Sequence, residues 1–243
     1  MHLGRHIFLF TDFGWSGPYV GQMSAAIDQF DSNCSVINLM HDAPAMRPDL
    51  AAYLLAACCA PLPHCSLVVA VVDPGVGGDR AALVVETGAQ TFVGPDNGLL
   101  SRLPLIKRVA RIDWRPTELS SSFHGRDWFA PVAARLAAGC PVSTTAIAAD
   151  EMVGAEWPDQ TTAIIFIDGY GNLMTGLRTK GFDKTRQIRA AGQVIDYAET
   201  FCRVPPGGLF WHGNSQDLIE IAANGVSASE CLSLALGDTI LIS

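Results

Sequence analysis

Charge is scarce in this chain, and positive charge scarcest: 16 Lys and Arg stand against 24 Asp and Glu among 243 residues, a formal net charge of −8. Charged residues make up 16% of the whole, where about 25% is usual for globular chains. The densest basic stretch is Lys107-Arg108 with Arg111 and Arg115, which reads as a solvated face. A phosphate-backbone binder needs clustered cations, so nucleic acid is excluded as the main partner. The seven cysteines are scattered, odd in number and without any Cys-x-x-Cys. Neither a disulfide framework nor a zinc site is expected, and a reducing, cytoplasmic setting fits them. Of the six histidines only His2 and His6 have His-x-x-x-His spacing, with no acidic residue between them, and none has His-x-Glu spacing, so no metal is expected. A helix-opening Gly-Lys-Ser/Thr and a Gly-x-Gly-x-x-Gly are also missing, which argues against a phosphate loop and a dinucleotide fold.

One uncharged run, Leu50 to Val72, has the length of a membrane span. Pro61, Pro63 and His64 divide it into an Ala/Leu-rich helical half and a Val-rich strand half, the pattern of a buried helix-turn-strand unit, so no membrane is expected. Ile7-Phe8-Leu9-Phe10 is too short for a signal h-region and ends in Thr11-Asp12, so no secretory signal is expected. Apolar residues are plentiful at 49%, enough for a substantial core. The length suits one large or two modest domains at roughly 150 residues each, and the low charge hints at oligomerisation.

In the first 140 residues or so, short β-rich runs alternate with helical stretches. His6-Phe10, Ser35-Met40, Ser66-Val72, Ala81-Glu86, Gln90-Val93 and Val109-Ile112 read as strands, several apolar without alternation, as in a parallel sheet buried on both faces. Pro18-Phe30, Asp49-Ala60 and Pro131-Ala138 read as helices, the last closed by Gly139. Residues 1–150 are therefore expected to form an α/β domain with a central, mostly parallel sheet. Periodicity is lost between Asp150 and Asp159, so residues 151–160 are expected to be a linker. Residues 161–243 then read as a smaller all-β domain, a barrel or sandwich, with strands at Thr162-Ile167, Gln187-Ala190, Gln193-Tyr197, Leu209-His212, Leu218-Ala222 and Thr239-Ile242.

Polar clusters follow the expected strands, where open α/β sheets place ligands. Thr11-Asp12-Phe13-Gly14 offers a carboxylate suited to a sugar diol, or a simple Asx turn. Asp73-Pro74-Gly75-Val76-Gly77-Gly78-Asp79-Arg80 combines close-approach glycines with an Asp and an Arg that also suit a structural ion pair. Phe123-His124-Gly125-Arg126-Asp127 adds a histidine able to serve as base, donor or helix N-terminal residue.

Taken in order, these clusters resemble the S-adenosyl-L-methionine hydrolases that form adenosine, also called hydroxide adenosyltransferases, relatives of the adenosyl-fluoride and adenosyl-chloride synthases. The likeness includes Tyr19-Val20-Gly21-Gln22-Met23, Val71-Val72-Asp73-Pro74-Gly75-Val76-Gly77 and Gly94-Pro95-Asp96-Asn97-Gly98-Leu99-Leu100. It continues through Asp168-Gly169-Tyr170-Gly171-Asn172-Leu173-Met174-Thr175 to Asn214-Ser215 and Ile219-Glu220-Ile221-Ala222. The resemblance implies an N-terminal α/β domain joined to a C-terminal β-barrel, in a homotrimer with active sites at subunit interfaces. It implies attack of water or hydroxide on C5′ of the ribose, releasing L-methionine and leaving adenosine, with no cofactor. An Asp-Arg-His triad carries over onto Asp73, Arg80 and His124, its proton left unassigned. Asp12 would hold the ribose diol, Asp168 the methionine ammonium, Ser215 beside Asn214 the methionine carboxylate, and Asn172 the adenine edge. Phe13, Trp128, Tyr170 and Trp211 would supply apolar walls. Gly17, Pro48, Gly176 and Gln216 depart from the usual pattern. Two alternatives stand beside hydrolysis: a halide-dependent adenosyl halide synthase, whose fluoride-forming example has a tyrosine in place of Asp73 and lacks the histidine, and a non-catalytic S-adenosyl-L-methionine or adenosine binding protein, which would need no triad.

Overall fold

The computed structural model describes residues 6–31 and 33–243. It divides into two compact units, Met1–Trp157 and Pro158–Ser243.

The first unit is built on seven strands: β1 (His6–Thr11), β2 (Ser35–Met40), β3 (Leu67–Val71), β4 (Ala82–Glu86), β5 (Thr91–Pro95), β6 (Arg108–Ile112) and β7 (Thr144–Ile147). They lie in the order β2-β1-β3-β5-β4-β6-β7. The four from β2 to β5 are mutually parallel, whereas β4, β6 and β7 join by antiparallel ladders. Among the described residues the α-helices are α1 (Tyr19–Phe30), α2 (Pro48–Cys59) and α3 (Ala130–Ala137) here, and α4 (Ala228–Leu232) in the second unit. The non-alternating runs of β1 and β3 are buried along nearly their whole length, as a sheet with both faces covered requires. Ile7, Leu9, Val69 and Val71 form a core with Met23 and Ile27 of α1 and with Val132 and Ala133 of α3. α2 begins at Pro48, whose missing N–H costs nothing in a first turn, and is buried over most of its length. No described helix is long and apolar enough to cross a membrane.

The chain runs from β1 out to β2 and returns to the other side of β1 as β3, so the carboxyl ends of β1 and β3 form a topological switch point. Crevices open at such points in α/β sheets. Asp12 directly follows β1 and Asp73 lies two residues beyond β3, which sets two carboxylates on the same edge.

Residues 149–157 are fastened to the first unit. Arg102 donates to the Gly154 and Ala155 carbonyls at 3.0 Å each and also to that of Trp157. The Val153 N–H donates to Asp96 Oδ1 at 3.0 Å. Gly98, at φ +97°, lies so close to the Trp157 ring that a Cβ would collide with it.

The second unit is antiparallel throughout its ladders. β8 (Thr161–Ile167), β9 (Leu173–Arg178), β12 (Leu209–Gly213) and β13 (Leu218–Ala223) form one sheet in the order β12-β13-β9-β8; β10 (Ile188–Ala190), β11 (Gln193–Ile195) and β14 (Leu241–Ile242) form the other, β11-β10-β14. The expected all-β C-terminal domain is present, built as two sheets and not as a closed barrel. Isolated bridges, Ala163 to Thr239 and Tyr197 to Trp211, join them at the seams, and between them lies a core of Ile164, Leu173, Trp211, Ile219 and Ile221.

Two strands go beyond the sequence reading. β7 is a short, half-exposed edge strand, with too few apolar residues to signal itself. β9 lies where Gly171 and Gly176 suggest a turn, yet Gly176 pairs with Thr161 across the ladder. A Cβ at Gly176 would collide with the Thr161 side chain, so this glycine serves packing.

Gly94 offers a test of the sheet at the switch point, because a Cβ there would stand 2.5 Å from the Ala70 carbonyl oxygen. Gly94→Ala is expected to cost about 1–3 kcal/mol, as overpacking typically does, read as a lower urea midpoint. An unchanged midpoint would contradict the strand spacing.

Candidate active site

At the carboxyl ends of β1 and β3 lies a cleft of about 320 Å³, lined by Asp12, Phe13, Tyr19, Met46, Val71, Asp73, Val76, Ser122, Phe123, His124 and Gly125. Its walls are largely aromatic and aliphatic, and its carboxylates are Asp12 and Asp73.

Asp73 is held by one guanidinium. Arg80 Nε donates to both carboxylate oxygens at 3.0 Å, and Arg80 Nη2 donates to Oδ2. The same Nη2 donates to His124 Nδ1 at 2.8 Å, so the three residues form one connected group. The Arg80 and Asp73 side chains are only 10% and 4% exposed. The guanidinium lies 5.1 Å from the Phe129 ring centroid and 5.9 Å from that of Trp128, contacts that favour a cation. Asn97 Nδ2 donates to the Val72 carbonyl at 2.8 Å and holds the chain just before Asp73. Gly77 lets the Asp73–Arg80 loop turn: its φ is +83°, and a Cβ would collide with the Ser121 carbonyl.

His124 opens a single π-helical turn, Gly125–Phe129, that leads directly into α3. Such turns recur at functional sites. Gly125 is the close approach here, since a Cβ would sit 3.3 Å from Met23 Sδ and 3.4 Å from the Phe13 ring. Burial lowers the His124 pKa first, the Arg80 charge lowers it further, and Asp73 opposes both. The ring is accordingly neutral at pH 7. Because Nδ1 accepts from Arg80, the proton resides on Nε2, which makes His124 a donor in this arrangement and leaves Asp73 as the acceptor of the three.

Asp12 accepts from the Met46 N–H at 3.0 Å. Burial raises its pKa, hydrogen bonding to the Met46 and its own backbone opposes this, and the Asp73 charge adds to the rise. Two carboxylates facing an apolar cleft favour a cationic occupant. Phe13, Tyr19 and Phe123 pack edge to face or tilted, with centroids 5.4–5.8 Å apart.

The second unit has its own cleft, of about 610 Å³, lined by Asp168, Tyr170, Asn172, Phe201, Glu220, Ala223, Gly225, Val226 and Ser227. Asp168 and Asn172 share it. Asp168 Oδ1 accepts the Tyr170 and Asn172 N–H groups at 2.9 Å each, and Oδ2 accepts from Asn172 Nδ2 at 2.9 Å. The turn around Gly169 and Gly171 thus exists alongside any ligand role. Asn214 lines a different depression, with Trp211 and Asp217. Its Oδ1 accepts from the Gln216 and Leu218 N–H groups, shaping the β12–β13 turn. Ser215 is exposed on that turn and lines neither cleft. Two proposed wall residues belong to cores: Trp128 is buried with its N–H on the Trp114 carbonyl, and Trp211 with its own on that of Arg186. Phe13 and Tyr170 do line clefts.

Sequence reasoning missed Met46 and Glu220. Met46 is a non-glycine residue at φ +60°, with no local motif to announce it. Glu220 is buried, accepts from Asn214 Nδ2 at 2.8 Å and lies 3.1 Å from His212 Nε2; it stood among the motifs of the family likeness without a role, a lone acid in the apolar run Leu218-Ile219-Glu220-Ile221.

Residues 7–146 match the family model for the SAM hydroxide adenosyltransferase N-terminal domain, and residues 162–241 match the model for the corresponding C-terminal domain. Two similar proteins bear the name (R)-S-adenosyl-L-methionine hydrolase. The one from Salinispora arenicola is 33% identical over 251 residues, 96% of this chain and 95% of its own. The one from Thermus thermophilus is 33% identical over 264 residues, 96% and 97%. Among solved structures, an uncharacterized conserved protein from Thermotoga maritima superposes with a TM-score of 0.87 at 28% identity, covering 97% of this chain and 99% of its own.

Removing the guanidinium tests the electrostatics of the cleft. In Arg80→Gln the His124 pKa is expected to rise, since a lowering charge is lost while Asp73 remains. Titration of the ring's Cε1 proton by NMR reads this, and an unchanged or lower value contradicts the assignment.

Proposed function

Because the chain belongs to the SAM hydroxide adenosyltransferase family, we propose that it hydrolyses S-adenosyl-L-methionine to adenosine and L-methionine, with Asp73, Arg80 and His124 as its catalytic group. The observation that carries this reading is the connected Asp73–Arg80–His124 arrangement beside an apolar cleft.

The chemistry asks little of a leaving-group acid. The C5′–S bond breaks with its electron pair passing to sulfur, so the sulfonium departs as a neutral thioether. The new C5′–O bond forms from water, and one proton must leave that oxygen. In this proposal Asp73 accepts it and returns it to solvent. Arg80 holds the carboxylate in one orientation, which favours an in-line attack geometry, and its charge stabilises hydroxide character on the attacking oxygen. His124 Nε2–H is a donor available to orient the water. A halide nucleophile gains nothing from a base, and the carboxylate of Asp73 repels it.

The substrate contacts belong to the same proposal: Asp12 on the ribose diol with Phe13 as a wall, Asp168 on the ammonium, Asn172 on the adenine edge, and Ser215 with Asn214 on the carboxylate. Carboxylates suit a substrate carrying both an ammonium and a sulfonium, through charge-assisted bonds. We further propose a cytoplasmic homotrimer with active sites at subunit interfaces. Exposed Trp15, Tyr19, Met46 and Tyr170 supply apolar surface for such an assembly.

Incubation with S-adenosyl-L-methionine in chloride-free buffer is expected to yield adenosine and methionine whether or not halide is added, resolved by chromatography and mass. Asp73→Asn is expected to lower kcat by at least about 100-fold, the lower range of general-base effects, while calorimetric binding persists. Halide-dependent 5′-halo-adenosine, or full turnover in Asp73→Asn, would overturn the proposal.

A further inference from the structure

His41 lies outside the cleft and is fully buried, yet both ring nitrogens are satisfied. Nδ1 is 2.8 Å from Thr11 Oγ1, and Nε2 is 3.0 Å from Asn38 Oδ1. Thr11 Oγ1 also accepts the Phe13 N–H at 3.3 Å. With a neutral ring, the Asn38 Oδ1 acceptor makes Nε2 the donor and Nδ1 the acceptor, which sets the direction of donation. The Phe13 N–H donates to the Thr11 hydroxyl, the hydroxyl donates to His41 Nδ1, and Nε2–H donates to the Asn38 side-chain carbonyl. Such a chain needs a neutral imidazole, and burial pushes the His41 pKa down accordingly, against the opposing charge of Asp42.

The backbone repeats the connection. The Gly14 N–H donates to the His41 carbonyl at 2.7 Å, and the Ala43 N–H donates to the Thr11 carbonyl at 3.1 Å. Asp12 lies within this lacing, and its Oδ2 accepts from Met46 on the same 41–46 segment. The residues after β1 and β2 are thus stitched on both sides of one carboxylate. The Trp15 ring packs edge-on against His41, 4.7 Å between centroids.

We infer that His41, with Thr11 and Asn38, is a positioning group that holds Asp12 in the orientation needed to grip the ribose hydroxyls of the substrate. The inference rests on the proposed role of Asp12. His41 does not touch substrate; it acts through the loop that carries Asp12.

The test compares kcat/KM for S-adenosyl-L-methionine and for its 2′-deoxy analogue, which lacks one of the hydroxyls. Wild-type protein is expected to prefer the full substrate by about 10- to 100-fold, as for a lost hydrogen bond to a charged group. In Thr11→Val, kcat/KM for the full substrate is expected to fall about 10-fold while the analogue changes by less than about 2-fold, with Thr11→Ser restoring the preference. Asn38→Ala, a change at an exposed residue of the edge strand β2, is expected to shift the preference in the same direction and serves if Thr11→Val does not fold. Equal losses on both substrates, or unchanged preference in both variants, would overturn the positioning role. A wild-type protein with no preference would instead overturn the diol contact of Asp12 and with it this inference.

Discussion

A single guanidinium organises the reactive end of the first unit. Arg80 satisfies both oxygens of Asp73, donates to His124 and stacks near Phe129 and Trp128. An Asp and a His this deeply buried would each be costly alone, since unpaired polar groups lose their hydration without compensation. The arginine removes that cost for the carboxylate and, by donating to Nδ1, selects the tautomer of the imidazole. Its own position follows from the fold: Gly77 allows the loop to turn, β3 delivers Asp73, and the π turn delivers His124. Stability and chemistry in this region therefore have the same cause.

Much of this was legible in the residues. Unbroken apolar runs announced β1 and β3, and strand ends in an α/β sheet are where ligands gather, so Asp12 and Asp73 were nameable without coordinates. Asp73 and Arg80 are seven positions apart, within reach of local turn reasoning; His124 is far along the chain, and only the ordered likeness to a family joined it to them. Met46 escaped because its contribution is a backbone N–H, which no side-chain pattern encodes. His41 escaped because a buried histidine is ordinarily a satisfied core residue, and its partners Thr11 and Asn38 meet only when β1 and β2 pair.

The second unit was harder to read for a different reason. Glycine signals a turn and also a close approach between strands, and Gly171 and Gly176 do one each. Gly171, at φ +83°, turns the chain against Ser227, whereas Gly176 faces Thr161 within a ladder. A reading from local composition places no strand over 173–178 and so loses β9. Strand spacing left a barrel and a sandwich both open, and the choice is made at the seams, where isolated bridges stand in place of continuous ladders; that difference depends on long-range pairing.

The π turn at Gly125–Phe129 makes the histidine's place a matter of chain length as well as residue identity. A π turn is an α-helix carrying one surplus residue, and each helical residue advances the direction of its side chain by about 100°. Deleting any one residue between His124 and α3 would regularise the helix and rotate the imidazole away from Arg80, although Asp73, Arg80 and His124 would all still be present in the sequence.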